Sequence, residues 1–367
     1  MDSAAQVLAV NDDLPIRTGA PVHSGKVRAV YWLTERDSRR LAEDRGYRVV
    51  PGAPLGIMVI SDRLSAFDCL WRAEGGWDGV PGKGAALNAI AAHWFRSFAA
   101  AGLAPAHLLE APHPLLWVVQ RARPLALEAI ARQYITGSLW RAYEAGERSF
   151  CGIALPEGLG AHERLPELLM TPSTKGVLRG LPGVPEADDV NISRAQLLKH
   201  RAAFGFEDPG DVDHYTTLLA SGFRLIEREL AALDLVFVDT KFEFGYVDTA
   251  EGTAQLIYLD EVGTPDSSRI WDGPRYRAGE VVEFSKEAFR QALLSGAPDP
   301  AVLLDKGRMA SRQALAREWI LPRALFEQVS ASYRGLAERL TGERLAVPER
   351  PREELTGVLA DELGLLD

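Results

Sequence analysis

Asp239, Lys241 and Glu243 occupy every second position of the run Val238-Asp239-Thr240-Lys241-Phe242-Glu243-Phe244-Gly245. Strand side chains alternate between faces, so this spacing puts three charges on one face and Val238, Thr240, Phe242 and Phe244 on the other. A second strand-like run, 255–261, ends in Asp260 and Glu261, and the polar connection 248–253 has the length and composition of a hairpin turn. Four carboxylates and a lysine converging on one hairpin predict a bound cation and a phosphate; a solvated face of alternating charge is the plainer alternative. The turn that follows, Gly263-Thr264-Pro265-Asp266-Ser267-Ser268-Arg269, adds hydroxyls and a guanidinium, the group suited to gripping phosphate or carboxylate with two parallel hydrogen bonds.

Three other clusters carry polar chemistry. Ser24-Gly25-Lys26-Val27-Arg28 precedes a strand with a single glycine, so it is neither the phosphate loop of the P-loop enzymes nor a dinucleotide fingerprint, and Gly82-Lys83-Gly84 fails the same tests. It reads either as an ordinary strand start or as a Gly-Lys edge that holds nucleotide phosphates, as in kinase-like lobes. Glu128 and Arg132 stand four apart on a predicted helix, 125–145, by default an exposed pair. The break Thr136-Gly137-Ser138 one turn later makes a polar pocket the better reading. Thr171-Pro172-Ser173-Thr174-Lys175 packs three hydroxyls and an ammonium into five residues, fitting a small dicarboxylate or a solvated loop.

These groups need a scaffold of several elements. Period-two patterning predicts strands over 26–33, 56–61, 115–120, 235–241 and 255–261; helical spacing predicts 85–101, 212–233, 286–294, 311–319, 323–341 and 353–363. His93, on the first of these helices, reads as structural. The stretch 176–189 reads as a loop. A chain of 367 residues exceeds one ordinary core. The expected division is a frayed tail over 1–20, a β-rich lobe over 21–123, a central α+β lobe over 124–285 and a helical region over 286–367. A net charge of −10 argues against nucleic acid as a partner. No apolar run is long enough to span a bilayer and the N-terminus lacks signal-peptide features, which predicts a cytoplasmic protein with no membrane partner. Cys69 and Cys151 are too few for a disulfide framework and lack metal-site spacing.

Taken in order, Gly25 to Arg28, Ser61 to Asp68, Pro81 to Gly84, Glu128 to Ser138, Thr171 to Lys175, Asp239 to Gly245, Asp260 to Arg269, and Lys286 with Phe289 and Arg290 resemble the SAICAR synthetase family. The resemblance implies an α+β fold with a kinase-like antiparallel N-terminal lobe, a larger α+β lobe and ATP in the cleft between them. It implies an ATP-dependent ligase of purine biosynthesis. Such an enzyme joins the carboxylate of carboxyaminoimidazole ribotide (CAIR) to L-aspartate through an acyl phosphate, releasing ADP and phosphate. By the same resemblance Gly25, Lys26, Val27 and Arg28 meet the ATP phosphates, Val119 and Gln120 face the adenine, and Glu243 and Asp260 hold Mg2+. Lys241 bridges phosphates, with Asp239 and Arg269 completing the catalytic set. Glu128, Arg132, Ser138, Asp266, Ser268, Arg269, Lys286 and Arg290 line the ribotide site. Thr171, Ser173, Thr174, Lys175, Asp189 and Asn191 lie near the aspartate.

Two stretches depart from the family pattern: Asp188-Asp189-Val190 stands where many members have His-Asp-Glu, and Ser285-Lys286-Glu287 where they often have Asp-Lys-Gln. The alternative is therefore a paralogue acting on another amine or heterocyclic carboxylate. A phosphotransferase acting on hydroxyls would need the His-Arg-Asp and Asp-Phe-Gly motifs, which are missing. A non-catalytic nucleotide binder would be expected to lose the metal carboxylates. The expected protein is a monomer or small homo-oligomer working on small molecules.

Overall fold

Leu55–Ile60 is apolar on both faces, which suits only an interior strand. In the computed structural model, which describes residues 6–366, all six of its residues are buried. It lies at the centre of a five-stranded antiparallel sheet, in the order His23–Ser24, Arg28–Trp32, Leu55–Ile60, Leu116–Gln120, Leu108–His113. The turn between the first two strands carries Gly25, Lys26 and Val27, closed by Gly25 N donating to the Arg28 carbonyl at 2.8 Å. Ser61 then pins this turn: its backbone N and its hydroxyl both donate to the Val27 carbonyl at 2.8 Å.

A second antiparallel sheet is built around the charged strand, which runs without a break over Leu235–Asp248. Its neighbours are Leu127–Tyr134, Ala254–Leu259 and Ser268–Asp272. Here the sequence expectation for 125–145 is corrected: a strand, Leu127–Tyr134, precedes the helix Gly137–Glu144. Leu127, Ala129 and Ala131 are buried while Glu128 and Ile130 between them are partly exposed, so the operative period is two. Glu128 and Arg132 share a face of this strand but stand about 13 Å apart at the rise of a strand, so they are not a pair: Glu128 meets Lys241 and Arg132 meets Asp239.

The two lobes share one core. Helix Lys83–Ala100 packs on helices Arg323–Thr341 and Gly210–Ala232. Its Phe98 lies 6.0 Å from Phe242 and 4.8 Å from Tyr258, ring centre to ring centre. The carbonyl of Gly263 accepts from Trp94 Nε1 at 3.3 Å, so this core helix fixes the turn after the hairpin. His93 is bonded to Glu229 at 3.2 Å.

The N-terminal stretch is also corrected. Residues 1–5 lie outside the described residues, but from Leu8 onward the expected tail is a packed strap, with Leu8, Asn11, Leu14 and Ile16 buried. Asn11 Nδ2 donates to the carbonyls of Val27 and Val59 at 3.0 and 2.6 Å, tying the strap to the Gly25-Lys26 turn. The C-terminus is drawn to the same strap, with Leu355, Leu359, Leu363 and Leu365 buried and Arg352 paired with Asp13 at 2.8 Å. Among the described residues no helix is long and apolar enough to cross a membrane.

Candidate active site

Lys241, on the charged face of the strand Leu235–Asp248, lines a polar cavity of about 630 Å3 between the lobes. Lys241 Nζ donates to Glu128 Oε1 at 2.7 Å and stands 3.5 Å from Glu243 Oε1, while Lys175 donates to the other oxygen of Glu243. Burial opposes the charge on Lys241, but Glu243 and Glu128 outweigh it and raise the pKa, so the ammonium persists. Burial likewise opposes the Glu243 carboxylate, and Lys241 with Lys175 hold it below the ordinary value.

Two residues further down the strand, Asp239 is held between two arginines. Its Oδ2 accepts from Arg132 Nη1 at 3.1 Å and from Arg269 Nη1 at 2.6 Å. The register dictates this, since Asp239 pairs with Arg132 on one side and Arg269 on the other. Thr171 Oγ1 and Ser138 Oγ accept from Arg132 at 2.9 and 3.3 Å, and Glu287 accepts from Arg269 at 3.2 Å. Gly137 makes room for this arrangement: its φ is +56°, and an added Cβ would lie 2.5 Å from Arg269 Nη2. Gly137→Ala is expected to cost about 1–2 kcal/mol from the left-handed backbone alone, measurable as a lower urea midpoint.

At the hairpin end, Glu243 pairs with Leu259, so Asp260 leaves the neighbouring strand beside it. Asp260 takes φ +55°, a left-handed turn uncommon outside glycine. Arg28, from the Gly25-Lys26 turn, donates to Glu261 Oε2 at 2.9 Å and stands 3.5 Å from Asp260 Oδ1. Its Nε is buried without a partner, as is that of Arg269. Glu243, on the strand, and Asp260, just past the end of its neighbour, are hard oxygen donors. Among the described residues no three His, Cys, Asp or Glu side chains converge as a metal cage. That donor set suits Mg2+, which keeps waters and takes phosphate oxygens alongside one or two carboxylates.

Of the residues singled out from the sequence, Lys26, Glu128, Asp189, Lys241, Asp266, Arg269, Lys286 and Arg290 line the one cavity. Asp266 is the most constrained, accepting from Lys83 at 3.0 Å, Lys286 at 2.8 Å and the Tyr333 hydroxyl at 2.7 Å. Burial works against its charge, and Lys286 and Lys83 prevail, holding the carboxyl well below the usual range. Other expectations are corrected. Ser268 faces the buried side, bonded to the Thr240 hydroxyl at 2.8 Å, because it lies one residue out of phase with Arg269. The hydroxyls of Thr171 and Thr174 turn inward, the first to Arg132 and the second to the 187–190 backbone. Only Ser173 of the three reaches a cleft group, Glu128, at 3.4 Å. Asn191 is exposed and outside the cavity, and Val119 is buried in the core with Gln120 at its edge.

Several cleft residues escaped sequence reasoning. Arg141, Lys306 and Arg312 line the cavity, and Lys83 is fully buried against Asp266. Lys83 entered the sequence reading only within the run Pro81 to Gly84, with no role assigned to it. His107 is buried near the hairpin, where burial pushes its imidazole down to about 4 against the pull of Asp260, so it is neutral; a lone histidine gives no signal.

Comparison with known proteins accords with this geometry. The SAICAR synthetase family model matches residues 21–299. A Vibrio cholerae protein named phosphoribosylaminoimidazole-succinocarboxamide synthase is 61% identical over 367 residues, covering 100% of both chains. A solved SAICAR synthase from Saccharomyces cerevisiae, complexed with SAICAR, superposes with a TM-score of 0.63 at 25% identity, covering 90% of this chain and 99% of that one. A type-2 SAICAR synthetase in complex with ADP shares the fold, with a TM-score of 0.56 at 18% identity over 88% of this chain and 98% of that one.

Proposed function

The chain belongs to the SAICAR synthetase family, and on that premise we propose that its cleft joins the carboxylate of CAIR to the amine of L-aspartate, converting ATP to ADP and phosphate. It is a ligase of purine biosynthesis, and the reading with another amine is not favoured at 61% identity over the whole chain. The observation that carries the mechanism is one polar cavity in which Lys241 and Arg269 stay charged beside Glu243, Glu128 and the Asp239 knot. We place the reaction in the cytoplasm, on freely diffusing small molecules.

A carboxylate is a poor acyl donor because oxide would have to leave. Transfer of the γ-phosphoryl group to a carboxylate oxygen forms an acyl phosphate and releases ADP. The aspartate amine then attacks the acyl carbon, loses a proton and expels phosphate, leaving the amide. Phosphoryl transfer asks mainly for positioning and charge neutralisation. Lys26 and Arg28 reach toward the nucleotide phosphates from the turn pinned by Ser61, and the 118–121 segment borders the adenine. Lys241, kept cationic by Glu243 and Glu128, bridges the transferring phosphate and the ribotide. Arg132, Ser138 and Arg269 bind the ribotide, Arg132 and Arg269 being fixed by Asp239. Glu243 and Asp260 would hold Mg2+, which supplies charge neutralisation at the phosphates.

The test is ADP release from MgATP and CAIR with and without L-aspartate, with the product mass recorded. Sustained ADP release, beyond one equivalent per enzyme, that requires L-aspartate is expected together with the succinocarboxamide mass. MgATP binding without that product overturns the assignment of substrates.

A further inference from the structure

The family match ends at residue 299, but the wall of the cleft continues beyond it. Leu303, Leu304, Lys306 and Arg312 border the same cavity as Lys241 and Arg290. They come from the helix Pro300–Leu304, the turn Lys306–Arg308 and the helix Met309–Glu318. Arg312 anchors the segment: its Nε donates to the Val302 carbonyl at 3.0 Å, and its side chain is buried 3.7 Å from Asp68.

Lys306 is held differently. Its side chain is 66% exposed, and its Nζ donates at 2.6 Å to Asp189 Oδ2, an acid that also lines the cavity. Asp189 is 46% exposed and belongs to the loop that departs from the family pattern. An ion pair this exposed contributes little, so exchanging one carboxylate for another on Lys306 costs little. The cavity's other lysines differ: Lys241 and Lys286 are held in more buried pairs by Glu128 and Asp266, while Lys26, in an exposed pair with Asp68 like that of Lys306, is assigned above to the nucleotide phosphates. L-aspartate brings two carboxylates into a site already rich in acids, and each needs a cationic partner.

We propose that Lys306 binds a carboxylate of the L-aspartate co-substrate, and that Asp189 holds that place when the amino acid is absent. This rests on the function proposed above. It makes a segment outside the family match part of the specificity for the amine substrate.

The test is steady-state kinetics on the full chain, varying L-aspartate, ATP and CAIR in turn. Lys306→Ala is expected to raise the KM for L-aspartate about tenfold, the scale of one lost hydrogen bond to a charged group, while the KM values for ATP and CAIR stay within about twofold. Lys306→Arg recovers most of the loss. Asp189→Asn, which frees the ammonium, moves the KM for L-aspartate downward. An unchanged KM in Lys306→Ala overturns the proposal. So does a rise in Asp189→Asn matching that of Lys306→Ala, since the pair would then be a loop latch. If the unmutated chain makes no product from L-aspartate, the proposed function fails and takes this inference with it.

Discussion

Glu243→Gln is expected to lower kcat by about a thousandfold, the equivalent of several kcal/mol of lost charge stabilisation, while the fold stays intact. The substitution keeps shape and hydrogen-bonding capacity but removes the charge that Lys241 and Lys175 share. Two ammonium groups then face one another with only Glu128 left to balance Lys241. Glu243 is also one of the two hard oxygen donors on the hairpin, a role that an amide fills poorly. The measurement is kcat at saturating ATP, CAIR and L-aspartate, beside a urea unfolding curve. Turnover within tenfold of the unmutated chain would remove Glu243 from the site.

The second large effect is on stability. Asp239→Asn leaves Arg132 and Arg269 buried around a neutral amide, and breaking a buried pair by removing one partner costs about 3–5 kcal/mol. The arginine side chains are only 8% and 17% exposed, so water does little to compensate them. Asp239 touches the arginines and no substrate in the mechanism proposed here, which makes it a positioning residue. Its variant should therefore raise the KM for CAIR more than it lowers kcat. A urea midpoint unchanged within error, with unchanged slope, would show that the two guanidinium groups do not depend on Asp239.

How much of this was legible in the sequence depended on period and on range. The alternation of Asp239, Lys241 and Glu243 needed only strand geometry, and the structure keeps their shared face. Leu127–Tyr134 was misread as helix because its apolar and small residues fit both periods, and pairing with the strand Leu235–Asp248 decided between them. The expected pair of Glu128 and Arg132 was lost with the helix, since four residues span about 13 Å in a strand, and the two meet Lys241 and Asp239 instead. Ser268 was misplaced by one position, which in a strand is the difference between cleft and core. The packed strap at Leu8 to Ile16 looked like a tail because its partners, Val27, Val59 and Asp62, are distant in sequence. Lys306 and Arg312 carry no local signal, and only the packing of the C-terminal helices brings them to the cleft.

The central claim is that this cleft activates the ribotide carboxylate as an acyl phosphate before the amine attacks. Its most direct test places a heavy-oxygen label in both carboxylate oxygens of CAIR and follows the label through one turnover with MgATP and L-aspartate. The mechanism predicts one labelled oxygen in the inorganic phosphate and one in the new amide. Phosphate free of label, formed together with the amide product, would contradict it.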